Sequence, residues 1–177
     1  MRLFVGIPFS AAAIAAAEER ADYVRKNSRR GNFTACGNLH LTLAFLGEIE
    51  DADVVARVLN QVRWTAFSIR IGGLGSFPSR GSSTVFAVCD GGTALSMLAD
   101  AARTALRTAG VAYDPKPFAP HLTLVRESDL SAAAIERGSF PPAVVSVDRF
   151  VLFESLRSDG RLVYRPLATF PAEGVPR

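Results

Sequence analysis

The chain has 177 residues and a formal net charge of +3, with 49% hydrophobic and 21% charged residues. This length and composition are typical of a globular domain and exclude wholesale disorder. Two cysteines are too few for a disulfide framework, and no Cys-x-x-Cys spacing offers a zinc site. We therefore predict that Cys36 and Cys89 are buried thiols of a cytosolic protein.

The beginning of the chain predicts a strand followed by a helix. Residues 2–9 are β-branched and aromatic, Ser10 is a suitable N-cap, and residues 11–25 form an alanine-rich helical segment. The uncharged start imitates a secretory signal, but Pro8 and Ser10 interrupt it, so we expect no cleavage. No stretch reaches the 18 apolar residues of a transmembrane helix, and we expect a cytoplasmic protein without membrane association.

Further elements follow in a regular order. Apolar positions at helical spacing predict helices, alternating β-formers predict strands, and Gly/Ser/Pro-rich segments predict loops. The predicted elements are loop 27–37, strand 39–47, helix 52–64, strand 67–74, loop 75–83, strand 84–89, helix 93–109, strand 121–126, helix 131–137, and a closing hairpin of 144–153 and 162–170 that turns at 158–160.

This order predicts an α+β fold in which helices pack on antiparallel sheets. No linker divides the chain, so residues 1–177 are predicted to be a single bilobal domain. The two halves also look alike, since each has a long helix, a loop and then a strand that begins near a histidine. We interpret this likeness as a divergent internal duplication.

The only two histidines open the same tetrapeptide. His40 begins His-Leu-Thr-Leu, and His121 begins it again 81 positions later. Side chains alternate between the faces of a strand, so His40 and Thr42 share one face, as do His121 and Thr123. The intervening leucines then point into a core. If a pseudo-twofold axis relates the halves, two imidazoles and two hydroxyls face one another across a central cleft.

Such a set of groups suits in-line phosphoryl transfer. Imidazole titrates near neutrality, so one ring can accept a proton while the other, protonated, delivers one to the leaving oxygen. Threonine hydroxyls can donate to phosphate oxygens. The chemistry requires no metal or other cofactor, and two histidines without an acidic cluster would make a poor metal site.

Several other residues could contact a phosphate or a base. Strand parity places Arg126 on the face opposite His121, unless a bulge turns it toward the phosphate. Arginines in two loops could reach RNA phosphates, although solvated surface is the simpler interpretation: Arg29, Arg30 and Arg80. Phe9 and Tyr164 could stack on a base, but core packing is the stronger expectation for both.

The two His-x-Thr-x segments resemble the signature of the two-histidine (2H) phosphoesterase superfamily. Residues 38–48 and 118–126 are similar to the signatures of its bacterial and archaeal RNA 2′,3′-cyclic phosphodiesterases, also called 2′-5′ RNA ligases. The resemblance implies a bilobal α+β fold with two antiparallel sheets, outer helices, a pseudo-twofold axis and a central cleft. It also covers the opening strand and the closing hairpin.

The resemblance implies that His40 donates a proton to the leaving ribose oxygen and that His121 activates water. Thr42 and Thr123 would hold the phosphate. Arg126 is a candidate substrate contact from the residue pattern alone. The expected reaction opens a 2′,3′-cyclic phosphate on RNA or a nucleotide to a 2′-phosphate, with reversible 2′-5′ RNA ligation in some members. A monomer without an obligate protein partner is expected. Alternatives are a non-catalytic nucleotide-binding module, or a phosphodiesterase acting on 2′-5′ oligonucleotides or on ADP-ribose cyclic phosphate.

Overall fold

The computed structural model describes residues 1–175, which form nine strands and four helices. A short 3-10 turn, Cys36–Asn38, precedes the third strand. The elements are β1 (Arg2–Pro8), α1 (Ala11–Asn27), β2 (Asn32–Phe33), β3 (His40–Glu48), α2 (Ala52–Leu59), β4 (Phe67–Ser79), β5 (Ser82–Asp90), α3 (Gly92–Thr108), β6 (His121–Ser128), α4 (Ala132–Arg137), β7 (Ala143–Val147), β8 (Arg149–Ser158) and β9 (Arg161–Pro171).

The strands form one antiparallel sheet in the order β7-β4-β5-β6-β3-β1-β8-β9, with β2 paired to β6. Strands β7, β4, β5 and β6 make one lobe, and strands β3, β1, β8 and β9 make the other. Within each lobe the strands pair over several residues, whereas β3 and β6 share the single pair Leu41↔Leu122. The predicted α+β fold is confirmed, and the two expected sheets are joined at one residue pair.

Each long helix contacts strands of the lobe that does not contain the strand before it. Helix α1 follows β1 but lies against β6, β7 and β4 of the other lobe. Helix α3 follows β5 and lies against β3 of the other lobe and against β4 of its own lobe. None of the helices within residues 1–175 is long and apolar enough to cross a membrane.

Side-chain caps set the beginning of three helices. Ser10 accepts from the Ala13 N–H at the start of α1, and Ser131 accepts from the Ala134 N–H at the start of α4. Asp51 accepts from Asp53 and Val54 at the start of α2. These bonds satisfy N–H groups that have no partner inside the helix, so each predicted start is close to the observed one.

Two predicted boundaries are wrong. The helix expected over 52–64 ends at Leu59, because the hydrogen bonds from Gln61 and Val62 reach back three residues and tighten the chain into a turn. The loop expected over 75–83 is instead the end of a long β4–β5 hairpin. Its strands stay in register to Ser79↔Ser82, and Gly81 turns the chain at a φ of 69°.

The closing segment and one cysteine also differ from expectation. The strand predicted over 144–153 is broken at Asp148 into β7 and β8, which belong to opposite lobes. The predicted turn at 158–160 is correct, since Asp159 and Gly160 adopt positive φ between β8 and β9. Cys89 is buried as predicted, but Cys36 is exposed, because it begins the surface turn beside α1 and its thiol donates to the Glu18 carboxylate.

Candidate active site

The two histidine motifs begin the two strands that join the lobes. All four motif leucines are buried beneath the sheet: Leu41, Leu43, Leu122 and Leu124. Continuing the antiparallel Leu41↔Leu122 register by one position sets His40 opposite Thr123 and Thr42 opposite His121. Each imidazole therefore neighbours the threonine of the other motif.

A cleft of about 660 Å³ lies over this junction. All five residues that the sequence singled out for phosphate chemistry line it: His40, Thr42, His121, Thr123 and Arg126. An adjoining cavity of about 650 Å³ shares His40, Thr123 and Arg126, and continues between β2 and the β8–β9 hairpin. The structure thus brings all the predicted site residues together.

Both imidazoles are held in the same way. The Nδ1 atom of His40 lies 2.7 Å from the Asn38 carbonyl oxygen, and that of His121 lies 2.7 Å from the Ala119 carbonyl oxygen. A carbonyl only accepts, so Nδ1 carries the proton in each ring and Nε2 is left for acid–base chemistry. Nε2 of His40 lies 3.0 Å from the Thr42 hydroxyl, which donates to it when the ring is neutral.

Aromatic rings surround each imidazole. Phe4 packs on His40 at 4.6 Å between ring centroids, and Tyr164 meets it edge-on at 5.0 Å. In the other lobe Phe77 and Phe86 lie 5.0 and 5.2 Å from His121. These rings fix the imidazoles by packing and exclude water from one side of each.

Burial weakens proton binding by both histidines. Removal from water disfavours the imidazolium and lowers the pKa of His40 to about 4. The pKa of His121 is also lowered, first by burial and further by the nearby Arg126 guanidinium, while the Ala119 carbonyl acts in the opposite direction. A bound phosphate anion would favour the protonated rings and oppose this effect.

A β-bulge turns Arg126 into the cleft. Leu124 and Val125 are both buried, and the pairing of β5 with β6 skips Leu124 between Val85↔Val125 and Phe86↔Thr123. The extra residue reverses the alternation, so the parity prediction for Arg126 is wrong and the bulge alternative is correct. Strand β3 has a similar bulge: its pairing with β1 skips Leu43 between Val5↔Ala44 and Gly6↔Thr42. Phe45, five residues after His40 as Arg126 is after His121, then lines the cleft.

The loop arginines do not reach the cleft. Arg29 is paired with Asp129 at 3.2 Å, Arg30 donates to the Gly81 carbonyl, and Arg80 lies at the tip of the β4–β5 hairpin. Phe9 packs against the core as expected. Tyr164 does not, because it forms part of the cleft wall beside His40.

Other cleft residues were missed in the sequence. Arg2, Phe45 and Arg157 line the cleft, and Asn38 lies in the adjoining cavity. Arg2 has no local signal, since only the sheet order brings β1 beside β3. Asn38 lies two residues before His40, in the turn that precedes β3, so the alternation of side chains along the strand says nothing about its role. Among residues 1–175, no three His, Cys, Asp or Glu side chains cluster as metal ligands would.

Sequence comparison agrees with this geometry. The family description that matches residues 11–159 is the 2′-5′ RNA ligase superfamily. The chain belongs to this superfamily. Its relatives in the superfamily include a Thermotoga maritima protein named RNA 2′,3′-cyclic phosphodiesterase, 29% identical over 98% of this chain and 97% of the relative. An Escherichia coli protein of the same name is 30% identical over 77% of each chain.

Solved structures of superfamily relatives share the whole fold. Escherichia coli LigT complexed with 3′-AMP superposes with a TM-score of 0.79 at 27% identity, covering 97% of this chain and 98% of that one. A protein of Thermus thermophilus gives a TM-score of 0.76 at 27% identity, covering 98% and 99%. The structural likeness therefore extends beyond the two signatures to at least 97% of the chain.

Proposed function

We propose that this member of the 2′-5′ RNA ligase superfamily hydrolyses 2′,3′-cyclic phosphates of RNA ends or nucleotides to 2′-phosphates. The observation that carries the proposal is the pair of Nδ1-anchored imidazoles in one cleft, with two threonines and Arg126 around them. The curated relatives named RNA 2′,3′-cyclic phosphodiesterase support it.

In the proposed reaction a neutral imidazole accepts a proton from water through Nε2 as the water oxygen bonds to phosphorus. The bond from phosphorus to the ribose 3′-oxygen breaks, and the other, protonated imidazole gives that oxygen its Nε2 proton. The phosphate stays on the 2′-oxygen, and solvent restores the two rings. Thr42, Thr123 and Arg126 donate to the non-bridging oxygens, where negative charge is concentrated.

The family assignment makes His40 the acid and His121 the base. In the free protein burial lowers the pKa of His40 to about 4, which disfavours its protonated form and works against this assignment. The phosphodiester anion beside His40 supplies the compensating charge in the complex. A 5′-hydroxyl that replaces water in the same step would produce a 2′-5′ linkage.

Product analysis tests the proposed activity. A panel of 2′,3′-cyclic nucleotides and a cyclic-phosphate-ended RNA should give 2′-phosphates, with equal rates in chelator because both proton transfers use imidazoles. His40→Ala and His121→Ala should each lower kcat by about 10²–10⁴-fold with the fold intact. Wild-type rates in either variant would contradict the mechanism, and tight binding of a 2′-phosphate nucleotide without turnover would favour a binding module.

A substrate with sulfur in place of the 3′-oxygen separates acid from base. A thiolate leaves without a proton, so the variant that lacks the acid should recover most of its activity on this substrate. We expect recovery in His40→Ala and none in His121→Ala; the reverse result would exchange the roles. The cytoplasmic location and the monomeric state stay predictions, as do 2′-5′ oligonucleotides and ADP-ribose cyclic phosphate as alternative substrates.

A further inference from the structure

The side chain of Asn38 is bonded to the edge of the β8–β9 hairpin. Its Nδ2 donates to the Leu162 carbonyl at 2.8 Å, and its Oδ1 accepts from the Tyr164 N–H at 3.3 Å. The Asn38 amide thus pairs with one backbone carbonyl and one backbone N–H of β9, as the backbone of a neighbouring strand would. This one side chain therefore joins Asn38 to Leu162 and Tyr164, which lie 124 and 126 positions further along the chain.

The backbone of the same residue holds a proposed catalytic group. The Asn38 carbonyl is the acceptor for His40 Nδ1 at 2.7 Å, and it stands at the end of the Cys36–Asn38 turn, which the Asn38 N–H closes onto the Ala35 carbonyl. Movement of this peptide would rotate the imidazole and weaken the bond that fixes its tautomer. Tyr164, whose N–H is bonded to Asn38, packs edge-on against the same ring.

The other half of the molecule supplies an internal comparison. His121 is held by the carbonyl of Ala119, two residues before it, at the same distance of 2.7 Å. Alanine has no polar side chain, so nothing equivalent to the Asn38 amide acts at that position. Both halves therefore have the carbonyl that orients the imidazole, whereas the Asn38 link to an edge strand lies beside His40.

We propose that Asn38 is a positioning residue that couples the orientation of His40 to the β8–β9 hairpin. The amide fixes the peptide whose carbonyl sets the His40 tautomer, and it aligns the strand that carries Tyr164. Leu162 and Arg157 of this hairpin also line the cleft. A ligand that contacts the hairpin would therefore affect, through Asn38, the carbonyl that orients the His40 ring. The kinetic part of this inference rests on the proposed function, whereas its structural part does not.

The test uses the fact that the chain has only two histidines. In protein labelled with ¹⁵N-histidine, the Nδ1-bound protons of His40 and His121 give two separately observable NMR signals. Asn38→Ala should speed solvent exchange of the His40 proton about tenfold or more and leave the His121 signal unchanged. With a cyclic nucleotide as substrate, kcat should fall about tenfold while KM changes less than about twofold.

Asn27→Ala is the matched control, because the Asn27 amide also donates to a backbone carbonyl at 2.8 Å but lies on α1 outside the cleft. If Asn38→Ala does not fold, Asn38→Ser retains a polar group that is too short to bridge both strand groups. Unchanged imidazole signals and kcat would overturn the proposal, as would equal loss of both histidine signals. If the wild type does not turn over cyclic phosphates, the proposed function fails, and the NMR comparison still decides the role of Asn38.

Discussion

The low pKa of His40 predicts a measurable loss of stability at mildly acidic pH. In the unfolded chain a histidine has a pKa near 6.5, whereas burial lowers the pKa of His40 to about 4 in the folded protein. The unfolded state therefore binds more protons between these values, and stability must fall as the pH drops through 6.5 toward 4. Above pH 6.5 the contribution is essentially complete.

The size of the effect follows from the two pKa values. Each pKa unit is worth about 1.4 kcal/mol, so the complete loss below pH 4 is about 3 kcal/mol, of which about 2 kcal/mol falls between pH 7 and pH 5. His40→Asn removes the titrating group and retains an amide donor for the Asn38 carbonyl. Between these two pH values the variant should thus lose about 2 kcal/mol less stability than the wild type.

Urea unfolding of both proteins at pH 7 and pH 5 measures this difference, since the carboxylates that they share contribute equally to both. His121→Asn serves as the comparison for the other ring. NMR titration of the two histidines gives their pKa values directly. Equal losses in the wild type and in His40→Asn, or a His40 midpoint at 6.5 or above, would refute the reasoning.

Two further substitutions test the packing that supports the site. In Gly75→Ala the new methyl would lie 2.5 Å from the Phe86 ring, so we expect about 1–3 kcal/mol of destabilisation. The kcat should also fall, because Phe86 packs against His121 and would be displaced. Gly73→Ala is the control: its methyl meets nothing within 4 Å, so stability and kcat should stay unchanged. The Arg20 side chain is fully buried and donates to four backbone carbonyls, those of Ala16, Ile71, Gly72 and Pro141. Arg20→Met should therefore lower the free energy of unfolding in urea by about 3 kcal/mol or more. The exposed Arg25→Met is the control and should lower it by less than about 1 kcal/mol. Equal effects within either pair would contradict the assigned contacts.

The histidine motifs were predictable because their information is local. Strand parity placed His40 and Thr42 on one face and the leucines on the other, and the repetition of the tetrapeptide pointed to a paired site. The structure brings both pairs into one cleft. Helix starts were predictable for the same reason, since Ser10, Asp51 and Ser131 cap within their own first turn.

Features that depend on distant partners were not predictable. The bulge at Leu124 arises from its pairing with β5 and leaves no mark in composition, so parity alone gave the wrong face for Arg126. The segment 75–83 has the composition of a loop, yet cross-strand pairing and the Phe77–Phe86 contact hold it as a hairpin. The Asn38 amide acts on a strand more than 120 residues away, which no local pattern records.

The crossed packing of the long helices bears on how the molecule acquires its structure. Because α1 follows β1 of one lobe but covers strands of the other, and α3 follows β5 but contacts β3 across the junction, the core of each lobe includes chain from the other half. The two lobes are therefore expected to unfold as one cooperative unit. The two imidazoles lie where the lobes meet, so a chain that loses the packing of either lobe should also lose the working site.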